Sequence, residues 1–312
     1  MSLRIAIQMD PLDRINPASD STLLMAQEAQ LRGHELFFYT PQHLTYREGT
    51  VIGRGQRVAL SRGSTAFYTY TGEWYEPLHD MDVVLLRQDP PFDMSYLSTT
   101  YLLEQLQPEV LVVNNPVAVR NFPEKIFPTL LDEFMPPTLI SADMRAIEEF
   151  RRDEKDIVIK PLYGFGGHSV LRIKPDDQNF NALMEMHFST SQEPLMVQAF
   201  LPEVAKQEKR IILLGGEVAG AIGRIPAEDE FRSNLRVGGT PVATTLTAKQ
   251  QSVCEELADT LNETGIVFAG LDMIGDYLTE INITSPTGMV AVNALYNTRI
   301  EAQFWDIVEA ML

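Results

Sequence analysis

The stretch Gly270-Leu-Asp272-Met-Ile-Gly-Asp-Tyr-Leu-Thr-Glu280-Ile-Asn282-Ile-Thr-Ser285-Pro-Thr287 decides how this chain is read. Short apolar runs flank a Gly-Asp turn, so the pattern predicts a β-hairpin. Glu280 and Asn282 are two apart on one strand and share a face, because strand side chains alternate. A hard cation such as Mg²⁺ takes carboxylate and carbonyl oxygens, completed by water and substrate phosphates. Asp272 joins that set only if it lies across from Glu280. A three-residue turn, Gly275 to Tyr277, puts it there; a two-residue turn sends it to the opposite face. The metal reading therefore carries a structural demand.

Working back from the hairpin, charged groups punctuate apolar strands. Lys209-Arg210 opens one such run and Arg224 closes another, Val218 to Ile225. A cation at a strand end is ordinarily a solvated end, the alternative being a functional role. Residues 226–240 are polar, contain Arg232 and Asn234, and end in Gly238-Gly239. They read either as a surface loop or as a lid on a glycine hinge that excludes water from a reactive intermediate. A helix is predicted over 247–264. A final helix from Thr298 to Met311 carries apolar residues at Ile300, Phe304, Ile307, Val308 and Met311, an amphipathic spacing.

Further back, the strand Ile157-Val-Ile-Lys160 runs into Pro161-Leu-Tyr-Gly164-Phe-Gly166-Gly167-His168-Ser169. Glycines let backbone N–H groups approach a phosphate, and a neighbouring lysine adds a point charge. The run lacks the Gly-Lys-Ser/Thr ending of a P-loop. It also lacks dinucleotide spacing, and a strand rather than a helix is predicted after it. Taken alone it reads as a turn or as a phosphate loop. Lys125, in Pro123-Glu-Lys-Ile-Phe, reads alone as a surface lysine.

The first 120 residues open with a strand at Arg4-Ile-Ala-Ile-Gln-Met, a helix from Ser21 to Arg32 and a strand from Glu35 to Tyr39. This β-α-β start implies a parallel sheet. Short meandering strands are expected over 45–75, then a strand at Val83 to Arg87, a helix from Tyr96 to Gln105 and a strand from Val110.

Composition narrows the function classes. At 312 residues the chain suits two or three subdomains. A net charge of −18 disfavours nucleic-acid and anionic-membrane surfaces, which are held by Lys and Arg. A small anionic ligand needs only a local basic cluster. The single cysteine, Cys254, excludes an intrachain disulfide, and its helical, acid-flanked setting reads as structural. No signal peptide or membrane-length apolar run is visible, so a cytoplasmic location is expected. Two lysines, a glycine loop, two arginines and three oxygen ligands together suit phosphoryl transfer.

With these motifs in order, the chain resembles the bacterial glutathione synthetases of the ATP-grasp ligase superfamily. The resemblance runs over nearly the whole length. It rests on Met9-Asp-Pro-Leu-Asp-Arg-Ile-Asn16 with Asp20-Ser21, Leu86-Arg-Gln-Asp-Pro-Pro-Phe-Asp93, Thr100-Tyr-Leu-Leu-Glu104, Asn114-Asn-Pro, Glu124-Lys125-Ile-Phe and Gly270 to Thr287. It implies an α/β protein, α+β in its ATP-binding part. An N-terminal parallel-sheet domain (1–122) would precede a central ATP-grasp domain (123–200) and a catalytic one (201–312). Lys125 and Lys160 would hold ATP phosphates under a flap containing Gly164, Gly166 and Gly167. Gln198, Ala199, Phe200 and Leu201 would face the adenine. Asp272, Glu280 and Asn282 would bind Mg²⁺, with Mn²⁺ as an alternative ion. Arg210 and Arg224 would be catalytic, steadying the transferred phosphoryl group. Arg232, Asn234, Gly238, Gly239, Ser285 and Thr287 would contact the peptide substrates.

The implied reaction joins γ-glutamylcysteine and glycine at the expense of ATP, in a homo-oligomer with no nucleic-acid or membrane partner. A relative with another acceptor amino acid, or a non-catalytic nucleotide-binding module, are the alternatives. One departure bears on them: Val290-Ala291 stand where this family usually carries an Arg-Glu pair, which predicts a weaker grip on a substrate carboxylate.

Overall fold

The computed structural model describes residues 2–61 and 67–312. Three sheets organise it. The first has β1 (Arg4–Gln8), β2 (Glu35–Arg47), β3 (Thr50–Leu60), β4 (Tyr68–Pro77), β5 (Val83–Leu86) and β6 (Leu111–Val113). Its order is β4-β3-β2-β1-β5-β6. The inner strands β2, β1, β5 and β6 are parallel, as the β-α-β opening predicts, whereas β3 and β4 are antiparallel additions. The expected meander over 45–75 is thus mainly two long strands, with its 62–66 segment outside the described residues. Helices α1 (Ser21–Leu31) and α2 (Met94–Glu104) make the crossovers. Asp20 and Asp93 cap them, accepting from Leu23 N at 2.6 Å and Tyr96 N at 2.9 Å. Two acids of the sequence's loop motifs therefore act as helix starts.

After α3 (Pro116–Asn121), the second sheet is antiparallel, in the order β7-β10-β8-β9. It comprises β7 (Thr138–Ser141), β8 (Ile157–Pro161), β9 (Leu171–Ile173) and β10 (Leu195–Ala199). Helices α4 (Met144–Glu154) and α5 (Phe180–Thr190) close one face over Ile147, Phe180 and Met184. Neither α4 nor β7 is anticipated from the sequence. A short α6 (Val204–Gln207) leads to the third sheet, also antiparallel, ordered β13-β12-β11-β14-β15. Its strands are β11 (Glu208–Leu214), β12 (Glu217–Ile225), β13 (Thr240–Ala243), β14 (Phe268–Ile274) and β15 (Tyr277–Asn282).

Helix α7 (Ala248–Thr264) begins with a Thr247–Gln250 capping box and covers one face of this sheet with Val253, Cys254, Leu257 and Leu261. Cys254 is buried, and that burial pushes its thiol up to about 12. Helices α8 (Met289–Tyr296) and α9 (Ile300–Ala310) lie on the other face. There Phe304, Trp305 and Val308 join one core with Met25 and Ile5 of the first sheet layer. Trp305 Nε1 donates to Met25 O at 2.8 Å, so the final helix fastens the third sheet to the first. Among the described residues, no helix is long and apolar enough to cross a membrane.

Candidate functional site between the two antiparallel sheets

The hairpin that opened the reading forms, and its turn is corrected by the structure. Ile274 pairs with Tyr277 and Met273 with Leu278, which is a two-residue turn at Gly275-Asp276. The register then shifts, and Asp272 pairs with Glu280. The extra residue is Thr279, a β-bulge whose Oγ1 donates to Asp272 O at 3.0 Å. One bulged residue does what a three-residue turn would have done: it returns Glu280 and Asn282 to the face of Asp272. Asn282 donates its amide to Gly270 O and Asp272 Oδ2, at 3.0 and 3.3 Å. Its carbonyl oxygen meets no protein donor among the described residues.

Those donors are two carboxylates and an amide, hard oxygens that fit a cation of the Mg²⁺ type. Among the described residues, no group of three His, Cys, Asp or Glu side chains is gathered to hold a metal ion, so the set here is completed by the Asn282 amide. Asp272 is also heavily engaged by protein. Arg210 grips it with both ends, Nε to Oδ1 at 2.6 Å and Nη2 to Oδ2 at 2.9 Å. Arg224 Nη2 lies 2.8 Å from Oδ1. Burial alone would raise the Asp272 carboxyl, but the two guanidiniums hold it well below its ordinary range.

Strand alternation explains this cluster. Arg210 is opposite Asp272 across β11–β14. Glu208, two residues back on the same face of β11, meets Arg224 of β12; Arg224 Nε donates to Glu208 Oε2 at 2.7 Å and its Nη2 bonds Oε1. Burial raises the Glu208 carboxyl despite Arg224. Burial would lower the Arg224 guanidinium, yet Asp272 and Glu208 keep it above its usual value. Glu208 is a site residue the sequence reading missed. Its spacing of two from Arg210 was the available signal. Lys209, paired with Arg210 in the sequence, points away to Thr245 O and Gln250. Gly270 makes room for the cluster, since a Cβ there would sit 3.2 Å from Arg210.

Two cavities meet over this floor. The first lies between the second and third sheets. Lys125, Lys160, Gly164, Gly166, Gly167, Gln198, Ala199, Phe200 and Leu201 all line it, together with Arg224, Arg232, Asn234, Asp272 and Glu280. Every residue expected to face ATP is therefore brought to one space. Lys125 is no surface lysine: it is 4% exposed, and its Nζ donates to Gly164 O at 2.5 Å and lies 3.1 Å from Glu280 Oε1. Lys160 Nζ donates to Gln198 Oε1 at 2.6 Å, and burial pulls its ammonium down to about 8, opposed by Glu280. Phe200 is covered by the Arg172 guanidinium, 3.5 Å from its ring centre.

The second cavity is lined by Arg210, Arg224, Glu280, Asn282, Ser285 and Thr287, with Asp89, Glu124 and Arg236 added by the structure. Glu124 Oε1 accepts from Ile283 N, Thr284 N and Thr284 Oγ1, at 2.9, 3.0 and 2.7 Å. Burial and neighbouring Glu280 raise its carboxyl. Arg87 ties this corner to the first sheet: Nη2 donates to Pro286 O at 2.8 Å and Nε to Thr22 Oγ1 at 3.0 Å.

The polar run 226–240 lies over both cavities, as a lid would. Arg232 Nη1 donates to Gly167 O at 2.8 Å. Gly238 and Gly239 line neither cavity. Gly238 ends a short turn with φ +97°, and a Cβ on Gly239 would strike Ser233 O, so both shape the loop. Val290 and Ala291 line neither cavity as well; Ala291 packs on the core shared by α1 and α9.

Comparisons with known proteins follow this geometry. The N-terminal domain of prokaryotic glutathione synthetase matches residues 3–120, and that family's ATP-grasp domain matches 124–297. The chain belongs to the prokaryotic glutathione synthetase family. It is 46% identical over 310 residues to the glutathione synthetase of Brucella melitensis, with 99% of each chain covered. It is 47% identical over 310 residues to that of Rhodopseudomonas palustris, again with 99% of each covered. Against that of Pseudomonas aeruginosa it is 40% identical over 314 residues, covering 100% and 99%. Among solved structures, a D-cycloserine synthetase superposes with TM-score 0.68 at 13% identity, covering 97% of this chain and 98% of that one. A RimK domain ATP-grasp protein from Sphaerobacter thermophilus superposes with TM-score 0.65 at 17% identity and the same coverage. These two give the ATP-grasp fold. The hairpin, lysines and lid described above all lie within the segment matched to the glutathione synthetase family's ATP-grasp domain.

Proposed function

We propose that this chain is a glutathione synthetase: it joins γ-glutamylcysteine to glycine, with ATP as co-substrate, through an acyl phosphate. The observation that carries this reading is the meeting of the two cavities at Phe165, Gly166, Arg224, Asn234 and Glu280, which line both. ATP in the first cavity and peptide substrates in the second would bring the γ-phosphate and the cysteinyl carboxylate together at that seam. Full-length kinship to glutathione synthetases supplies the substrates.

Lys125 and Lys160 bind phosphates, while Gln198 to Leu201 face the base. Asp272, Glu280 and Asn282 would hold a divalent cation, which we take to be Mg²⁺. When bound, it supplies positive charge against the phosphate oxygens. The cysteinyl carboxylate oxygen attacks the γ-phosphorus and the bond to ADP breaks. Arg224 and Arg210, held rigid by Glu208 and Asp272, face the charge that moves. The neutral amine of glycine then attacks the acyl carbon, phosphate leaves, and the amine's extra proton goes to the released phosphate or water. The acyl phosphate is hydrolysable, so Arg232 and Asn234 keep the lid seated on the glycine loop.

We further propose three units, 1–122, 123–200 and 201–312, a cytoplasmic location, and a homo-oligomer. The edge strand β4 supports the last: Tyr70, Trp74 and Tyr75 lie exposed on it, and its outer edge pairs with no strand among the described residues.

The test is incubation with Mg-ATP, γ-glutamylcysteine and glycine, following ADP and product mass together. Glutathione in step with ADP is expected. ATP binding with no peptide product from glycine would overturn the assignment.

A further inference from the structure

Three guanidiniums line the second cavity, Arg210, Arg224 and Arg236, and they are not equivalent. The first two are 8% and 4% exposed and locked on Asp272 and Glu208. Arg236, on the lid, is 49% exposed and pairs with Asp89, which projects from the loop after β5 and is itself 27% exposed. A pair this wet contributes little to stability, so exchanging its carboxylate for another costs little. A carboxylate arriving from solution can thus replace Asp89, whereas it cannot compete for Arg210 or Arg224 without stranding a buried acid.

Position narrows which carboxylate. The Arg236 guanidinium lies 5.4 Å from the ring centre of Phe165, and its Cδ is 3.2 Å from where a Cβ on Gly166 would stand. Phe165 and Gly166 belong to the seam between the cavities. A group read there must be close to the reacting carbon. The carboxyl carbon of an α-amino acid is two bonds from its attacking nitrogen. The glutamyl α-carboxylate of the dipeptide is many bonds from the acyl carbon and belongs farther off.

We propose that Arg236 reads the carboxylate of the acceptor amino acid, and that Asp89 is the resting partner it releases when the acceptor binds. The inference rests on the ligase reading above. Its consequence is an opposition of signs. Removing Arg236 weakens acceptor binding, while neutralising Asp89 removes a competitor and strengthens it. A lid clasp with no ligand role would make both changes act the same way.

The experiment measures KM for glycine, γ-glutamylcysteine and ATP in the whole enzyme and in Arg236→Gln, Arg236→Lys and Asp89→Asn, with thermal melts confirming that each folds. Glycinamide serves as an acceptor without the carboxylate. Expected are a rise of about tenfold or more in glycine KM for Arg236→Gln, from loss of a charged hydrogen bond. Arg236→Lys should fall between, because it keeps the charge and loses the fork. Asp89→Asn should lower glycine KM several-fold. Glycinamide kinetics should be the same in wild type and Arg236→Gln. Equal shifts in all three KM values, same-direction shifts for the two sites, or an unchanged glycine KM in a working ligase would each overturn the proposal. A wild type that makes no peptide from glycine would instead overturn the ligase reading itself.

Discussion

Lys160 shows how one buried charge sets a pH response. Its ammonium titrates near 8 rather than the ordinary 10.5, because burial penalises the charged form. Below pH 8 it is charged and can hold phosphate; above pH 8 the free enzyme loses that charge. The effect on stability has the opposite sign. Between pH 8 and 10.5 the unfolded chain still binds a proton that the folded chain has released, so this group's penalty on folding fades as pH rises. We therefore predict that KM for ATP rises above pH 8 while kcat changes less, since bound phosphates restore the lysine's charge. Lys160→Arg should flatten the profile, read by initial rates from pH 7 to 9.5. At this scale the sequence was legible where a motif isolates a residue. Glu280 and Asn282 stand out because alternation puts them on one face beside a turn, while Asp272 joins them only through the Thr279 bulge. Glu208, Glu124 and Arg236 did not, because each gains its role from a partner distant in sequence: Arg224 of the next strand, the Ile283–Thr284 backbone, and Asp89.

The glycine loop and the lid work as interlocked elements. Gly167 has φ +77°, and a Cβ on it would come within 2.8 Å of Asn234 Oδ1 of the lid. Alanine at 167 is strained in its own backbone and also pushes the lid off its seat. We predict for Gly167→Ala a fall in glutathione formed per ADP released, because water reaches the acyl phosphate, with a melting temperature little changed. Measuring both products in one reaction checks it; a variant that stays fully coupled would count against the lid's role. The elements themselves were unevenly readable. The parallel strands were plain where they are continuous apolar runs: Ile5 to Ile7 of β1, Leu36 to Tyr39 of β2 and Val83 to Leu86 of β5. Helix α4 is mostly charged, and its core face is only Met144, Ile147 and Phe150, too sparse a stripe to stand out. The Thr279 bulge has no sequence mark, since nothing in a Thr between Leu278 and Glu280 announces an unpaired residue.

Over the whole molecule, the first and third sheets share one core, while the second sheet keeps its own. Phe304 and Trp305 of the last helix pack in the same cluster as Ile5 of the first strand, which closes the chain on itself. Contacts spanning that separation depend on packing complementarity and could not be read from local pattern. The free edge lies at the other end of the first sheet. We predict that the chain elutes above its monomer mass in size-exclusion chromatography with light scattering. Tyr75→Lys, at a residue 71% exposed on β4, should return it toward the monomer through charge on the pairing edge. A monomeric wild type would remove support for pairing through β4. One buried atom has a further consequence. The enzyme's product is a thiol, yet its own single thiol, Cys254, is sealed on the buried face of α7 with almost no thiolate at neutral pH. Iodoacetamide or oxidised glutathione should leave its activity intact over hours at pH 7.5. A synthetase built this way takes no part in thiol–disulfide exchange with the pool it fills. Oxidation of that pool would not reach this enzyme through its cysteine.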